Sequence, residues 1–564
     1  MDGSIHAIGL LHRGARAAVE FAGSENFLEG SGPPVARPVF HVDGQLVELA
    51  RHGIAWERAN YWVPTFTTSV GSLVIRGTLF APFGRDVDVP GAVYAFSVEN
   101  RGESDVEVTF GLEGSVVHRE LRVQTPRPVA APTQVMEGPN GEVVVDGADT
   151  PGFAALALAA DAEASTAVTA NTYAIHRQAL VRAGQRADAA FYIGAGPERD
   201  GALATIQVLR LRGWKQMLAG TRDALRTLEQ TTGNESVDGL VNRHLLFAYF
   251  YSVGRALDDA HFYIVRSRAP WSSRGCTIRD WEALTWTIPA VQLADAPLAR
   301  ELILRMCEVH GYAPGRGVNY LDGTLFAPGF TLEGASAYAI ATDRYIRDTN
   351  DDQIVEEPVL ADTLYLSSDD IADRRDEHYP LYQADVTLGG EPATRFSIHG
   401  NAAVAFALDC LKRTLDEKDA VELQDPEAVR AAIRRHFVGG DGSKTVLASS
   451  AVPGGDVVRD DDPAASALWL PLLEAIDRTD SIYRRTAKAV TDPAGRLEHQ
   501  LARLLGPDAT QVLEWLRRAP LDRGFAAEFV DAGGAATGGG ADAALSGLLA
   551  YVVWYSAHAH GVRA

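Results

Sequence analysis

The chain is poor in the residues that staple, anchor or charge a protein positively. Its three cysteines, Cys276, Cys307 and Cys410, give no disulfide framework and no metal-ligand spacing. They are expected as reduced thiols, which favours a cytoplasmic setting. No run of about 18 uncharged apolar residues is present, so no membrane span is expected. The nearest, "ALSGLLAYVVWYSAHAHG", reads as a buried helix. The N-terminal stretch lacks a basic region followed by an apolar one, so it is not read as a secretory signal. Lys and Arg number 52 against 74 Asp and Glu, a formal net charge of -22. A phosphate backbone is a poor partner for such a surface, and no nucleic acid is expected. No repeat of fixed length appears, which argues against a solenoid.

What is present is ample core. With 564 residues, 46% of them hydrophobic, the chain is too long for one ordinary domain. Up to about residue 205 the pattern is β: "GSLVIRGTLFAP", "GAVYAFSVENRG" and "DVEVTFGLEG" are short β-branched and aromatic runs punctuated by Gly, Asn and Pro. They predict an N-terminal antiparallel β-sandwich over 1–205, with "VENRGESDVEVTFGLEG" as one of its hairpins. From residue 206 the apolar spacing becomes three and four, as in amphipathic helices. A linker helix is expected over 206–232 and a helical toroid with long decorated loops over 233–564. Predicted helices include "PLARELILRMCEVHG", "GASAYAIATDRYIRDT", "GNAAVAFALDCLKRTL", "DPEAVRAAIRRHFV", "SALWLPLLEAID" and "ATQVLEWLRRA".

Chemistry gathers in "HFYIVRSRAPWSSRGCTIRDWEALTWTIPAVQLAD". Asp280 precedes a helix, where a carboxylate ordinarily caps backbone N–H groups. The surroundings favour a second role. Trp271, Trp281 and Trp286 crowd the same stretch with Arg266, Arg268, Arg274 and Arg279. Indole faces stack on sugar C–H surfaces, guanidinium groups bind hydroxyls, and a carboxyl held among indoles has its pKa raised, as a general acid requires. Glu528 stands just before a Gly-rich loop that leads into the last helix, with a plain surface carboxylate as the alternative; Glu333 heads a helix after a Gly-Phe loop, with helix capping as its alternative. "GGDGSKT" lacks the Walker spacing, the histidines show no i,i+4 pairing with a Glu, and "RDDDP" reads as an exposed acidic turn sooner than a cation site. No cofactor and no metal are called for.

"TIRDWEALTWTIPAV" resembles the Arg-Asp helix start of the (α/α)6-barrel glycoside hydrolases, the group that includes processing α-glucosidases and glycogen-debranching glucosidases. "ARELILRMCEVHG" and "YLDGTLFAPGFTLEGASAYAIATDRYIRDTND" resemble the helix and substrate-binding loop that follow, and "FAAEFVDAGGAATGGGADAALSGLLAYVV" the C-terminal Glu pattern of the same group. The resemblance implies a β-sandwich followed by an (α/α)6 toroid, and an inverting glycoside hydrolase acting on an oligosaccharide or glycoside. It further implies Asp280 as general acid and Glu528 as general base, with Glu333 and Glu391 the alternatives for the base; Arg279, Trp281, Trp271, Tyr320, Asp322 and Glu333 are expected in the sugar cleft. Two departures weaken the base more than the acid. "LGGEPATRFSIHGNAAV" has only Glu391 near the place where debranching relatives carry a Glu, and "VVRDDDPAASALWLPLL" replaces the expected Trp-Arg-Gly-Pro loop. Rival readings are a polysaccharide lyase using His378 and Tyr379, a sugar phosphorylase, and a glycan-binding protein without catalysis.

Overall fold

The computed structural model describes residues 2–23, 32–84, 89–121, 129–131, 133–147, 154–393, 395–415, 423–440, 442–454, 457–458, 465–490 and 495–560. The acidic run "RDDDP" lies outside them. The chain forms two compact units, Met1–Glu229 with Arg255–His261, and Gln230–Gly254 with Phe262–Ala564.

The first unit is built from antiparallel sheets. An eight-stranded sheet runs in the order Gln134–Glu137, Val143–Asp146, Ala155–Ala160, Arg186–Gly196, Gly91–Asn100, Leu73–Phe80, Val63–Val70, Ala55–Ala59. A five-stranded sheet orders Ser165–Val168, Thr172–Val181, Val106–Ser115, Arg37–Val42 and Gln45–Val47. Phe66 and Phe96 from the first and Phe40 and Phe110 from the second share one core, joined by Phe21 of a four-stranded sheet. Strand Ala155–Ala160 is buried at every position because helix α1 (Arg199–Arg212) covers its other face. The expected hairpin at "VENRGESDVEVTFGLEG" is corrected here. Gly91–Asn100 belongs to the eight-stranded sheet and Val106–Ser115 to the five-stranded one, so the polar turn between them carries the chain from one sheet to the other. Where one helix was expected over 206–232 the chain forms two, α1 and α2 (Trp214–Leu228), both grouped with the sheets. Gly213, at φ 74°, ends the first and leads into the second.

The second unit is helical: α3 (Glu235–Tyr251), α4 (Ile288–Ala294), α5 (Ala296–His310), α6 (Leu332–Thr349), α7 (Pro358–Ala372), α8 (Ile398–Thr414), α9 (Pro426–His436), α10 (Ser481–Ala489), α11 (Leu497–Arg503), α12 (Ala509–Arg518) and α13 (Ala543–His560). Side-chain caps start several of them, as Asp295 does for α5, Thr331 for α6, Ser397 for α8 and Asp480 for α10. From α3 to α8 each helix packs on the next, and α13 returns to pack on α3 and α4, so the set closes on itself. "SALWLPLLEAID" is not a helix. Ala465–Trp469 makes a short 3-10 turn and Pro471, which has no N–H to donate, prevents its extension. No helix among the described residues is long and apolar enough to cross a membrane.

Candidate active site

The strand Thr277–Ile278 pairs with Gly317–Tyr320, which pairs in turn with Leu325–Pro328. Asp280 follows directly, where the chain enters a π-helical turn, Glu282–Thr287, that runs on into α4. Such turns add a residue to the helix and often mark functional positions. The Asp280 side chain is 1% exposed. Its Oδ2 accepts from the Gly315 amide at 2.7 Å, and its Oδ1 from the Tyr338 hydroxyl at 3.0 Å. Both partners belong to other segments, so no helix cap is seen. Burial drives this carboxyl up to about 7, against the pull of its two hydrogen bonds.

Glu528 lies on strand Ala527–Val530, which pairs with Ala536–Ala541. The Gly-rich stretch read as a loop is therefore a β-strand. Arg274 grips Glu528 with both forks, Nε to Oε2 at 3.0 Å and Nη2 to Oε1 at 2.7 Å. Burial alone would raise this carboxyl; Arg274, with Arg266 and Arg496 behind it, outweighs that and holds it below the usual range.

Glu333 is 4% exposed on the first turn of α6, where its carboxylate meets His399 Nδ1 at 3.0 Å. The His399 ring stands edge-on to Trp281, centroids 5.2 Å apart. Both rings line a cavity of about 20 Å³ inside the helical unit, together with Trp286, Trp469, Arg344 and Glu498. That volume suits a single water.

The remaining expected residues take varied places. Half-buried Arg279 donates to the Leu388 carbonyl of the loop before α8. Trp271 lies under the Arg523 guanidinium at 4.9 Å, close to the Glu528 hairpin. Tyr320 packs edge-on against Phe326, and Asp322 accepts from Thr324 in the turn of the same hairpin. Glu391 is exposed in a turn closed by Thr387. His378 is exposed too, its amide held by Asp376.

Some groups went unrecognised in the sequence, and Arg266, named there in the arginine cluster, takes a structural place instead of a sugar-binding one. Tyr338 and His399 reach the site from α6 and α8, far from Asp280 along the chain. Arg266 is buried and bound to Asp542 at 2.6 Å and to Glu282, with Trp286 stacked at 4.6 Å. This knot ties the π-helical turn to the start of α13. A buried nitrogen of Arg395, Nη1, has no hydrogen-bond partner and stands four residues before His399. The only sequence signal for these was the density of arginine and tryptophan. Among the described residues no group of three or more His, Cys, Asp or Glu could hold a metal ion.

No protein-family model matches the chain, and no curated protein matches it. The chain is similar in fold to a bacterial glucoamylase solved with acarbose: 11% identity, TM-score 0.61, covering 99% of this chain and 94% of that one. A putative kojibiose phosphorylase from the human microbiome is also similar, with 11% identity and a TM-score of 0.53 over 96% of this chain and 80% of that one. The likeness is one of fold, in which N-terminal sheets precede an (α/α)6 toroid.

Proposed function

We propose that the chain is a glycoside hydrolase that cleaves with inversion, Asp280 giving a proton to the leaving oxygen and Glu528 taking one from the attacking water. The observation that carries this reading is the opposite setting of the two carboxyls. One is buried without a cation and raised to about 7, so it holds a proton near neutrality; the other is clamped by Arg274 and stays ionised. Environments that push two carboxyls apart in this way assign acid and base. The helical unit carries both, and the sheets over 1–205, read as a sandwich, carry neither.

The lyase reading weakens because His378 is exposed on a turn.

A second assignment has its own support. Glu333 meets the cavity wall through His399, whereas both Asp280 oxygens are already bonded. In that version Glu333 is the proton donor and Asp280 holds a sugar hydroxyl.

The experiment screens oligosaccharides and aryl glycosides and follows the anomer released by NMR. Asp280→Asn and Glu333→Gln are then compared on alkyl glycosides and on aryl glycosides with acidic leaving groups. A leaving group that needs no proton restores turnover only in the variant that lost the acid. Rescue of Asp280→Asn supports the main assignment, and rescue of Glu333→Gln the second. Retention of near-normal activity in both, or in Glu528→Gln, defeats the acid–base reading.

A further inference from the structure

In the helical unit, α3 and α12 border a surface cavity of about 530 Å³. Its walls hold three arginines, Arg243 from α3 and Arg517 and Arg518 from α12, against a single carboxylate, Glu514. The lining thus carries an excess of positive charge in a chain whose net charge is -22. The volume falls in the range of small-molecule sites. Two acidic residues of α3, Glu235 and Asp238, adjoin lining positions in sequence without lining the cavity; Thr231 and Thr232 hold Asp238 at the start of that helix.

Glu514 accepts from Arg517 and from Arg518, each at 2.7 Å. Both pairs are exposed i,i+3 and i,i+4 contacts, worth little individually and readily exchanged. An incoming anion with several acceptor oxygens can take over the same planar forks, which match phosphate geometry.

The α12 wall is joined to the hairpin that carries Glu528, and the α3 wall meets the segment before it. Trp515 of α12 donates from Nε1 to the Ala532 carbonyl at 3.0 Å, and Leu521, just beyond the helix, donates its amide to Gly534 at 2.8 Å. Arg243 abuts Gly524. The intervening segment carries two non-glycine residues in the left-handed region, Leu521 at φ 50° and Arg523 at φ 53°. Such backbone persists only where neighbouring contacts enforce it.

We infer that this cavity is a binding site for a small phosphate-bearing anion, in which Glu514 occupies the arginine forks until the ligand displaces it. Occupancy bridges α3 and α12 and braces the segment leading into Glu528.

Isothermal titration of the whole chain at low ionic strength, with inorganic phosphate and separately with glucose 6-phosphate, tests this. Saturable one-to-one binding is expected. It should weaken about tenfold or more in Arg517→Gln and in Arg518→Gln, and strengthen in Glu514→Gln, which keeps the side-chain size and removes the competitor. Tighter binding of glucose 6-phosphate identifies an organic ester as the ligand; equal binding identifies phosphate itself, and both uphold the site. Absence of saturable binding, or binding that the arginine variants leave unchanged, overturns it. Arg517 and Arg518 lie at the surface, so the variants' thermal transitions show directly whether lost binding is lost folding. The glycosidase reading does not enter this test.

Discussion

Asp280 shows how one buried carboxyl couples protonation to stability and, under the proposed function, to turnover. Its pKa is raised from 3.8 to about 7, so between roughly pH 4 and 7 the folded chain binds a proton that the unfolded chain has released. Stability from this residue is therefore greatest below pH 4 and declines as pH rises through 7, by roughly 4 kcal/mol in total. Asp280→Asn resembles the protonated acid, since its amide can donate to the Tyr338 oxygen and its carbonyl can accept from Gly315. The variant should melt higher than the parent at pH 8 and close to it at pH 4, as read by calorimetry, with turnover nearly abolished. Equal pH dependence in the two proteins would exclude a titrating Asp280. Arg274 acts on Glu528 in the opposite sense. In Arg274→Gln, burial is left to dominate, so the acidic limb of the kcat/KM profile should move to higher pH while the basic limb near 7 stays in place.

At the scale of elements, Gly315 is the position where backbone conformation and chemistry meet. It sits at φ 71°, and a Cβ there would lie 2.5 Å from the Ala335 amide nitrogen and 2.7 Å from the Thr331 oxygen. Any side chain must push the loop away from α6 and withdraw the N–H that Asp280 accepts. Gly315→Ala should lower stability by roughly 1–3 kcal/mol, measured by urea unfolding. It should also raise the pH of the basic limb, because the ionised Asp280 loses a donor.

The same loop shows where sequence reading ended. Helices with a clean three-four spacing and an Asp, Ser or Thr start, such as α5, α6, α8 and α9, are legible in the sequence. Helices α7, α10 and α11 were not singled out; α10 has only nine residues and α11 seven. Pro471 defeated an apolar run that looked helical, and the strand Ala536–Ala541 escaped notice because five of its six residues are Gly or Ala. Asp280 and Glu528 stood out by their neighbours. Tyr338 and His399 could not, since nothing local marks a tyrosine or histidine that meets its carboxylate only through tertiary packing.

Over the whole helical unit, the feature that organises the site is ring closure. Glu528 and Asp542 come from the C-terminal end of the chain, Arg266, Arg274 and Asp280 from a stretch near its middle, and bonds such as Arg274 to Glu528 span 254 residues. Those bonds form only if α13 docks against α3 and the π-helical turn. Gly547 makes that docking possible: a Cβ there would lie 2.7 Å from the Trp286 carbonyl and 3.3 Å from Ala248 of α3. Gly547→Val should force α13 outward at a cost of about 1–3 kcal/mol. The loss should appear as a lower melting temperature and, at temperatures where the fold persists, as a fall in kcat larger than any rise in KM. The reason is geometric. Displacing α13 moves Asp542, through it Arg266, and with them the strand that presents Glu528, so the two carboxyls lose their mutual placement before the helices lose their packing. A variant that melts lower yet turns over normally would show that closure stabilises the ring without positioning the site.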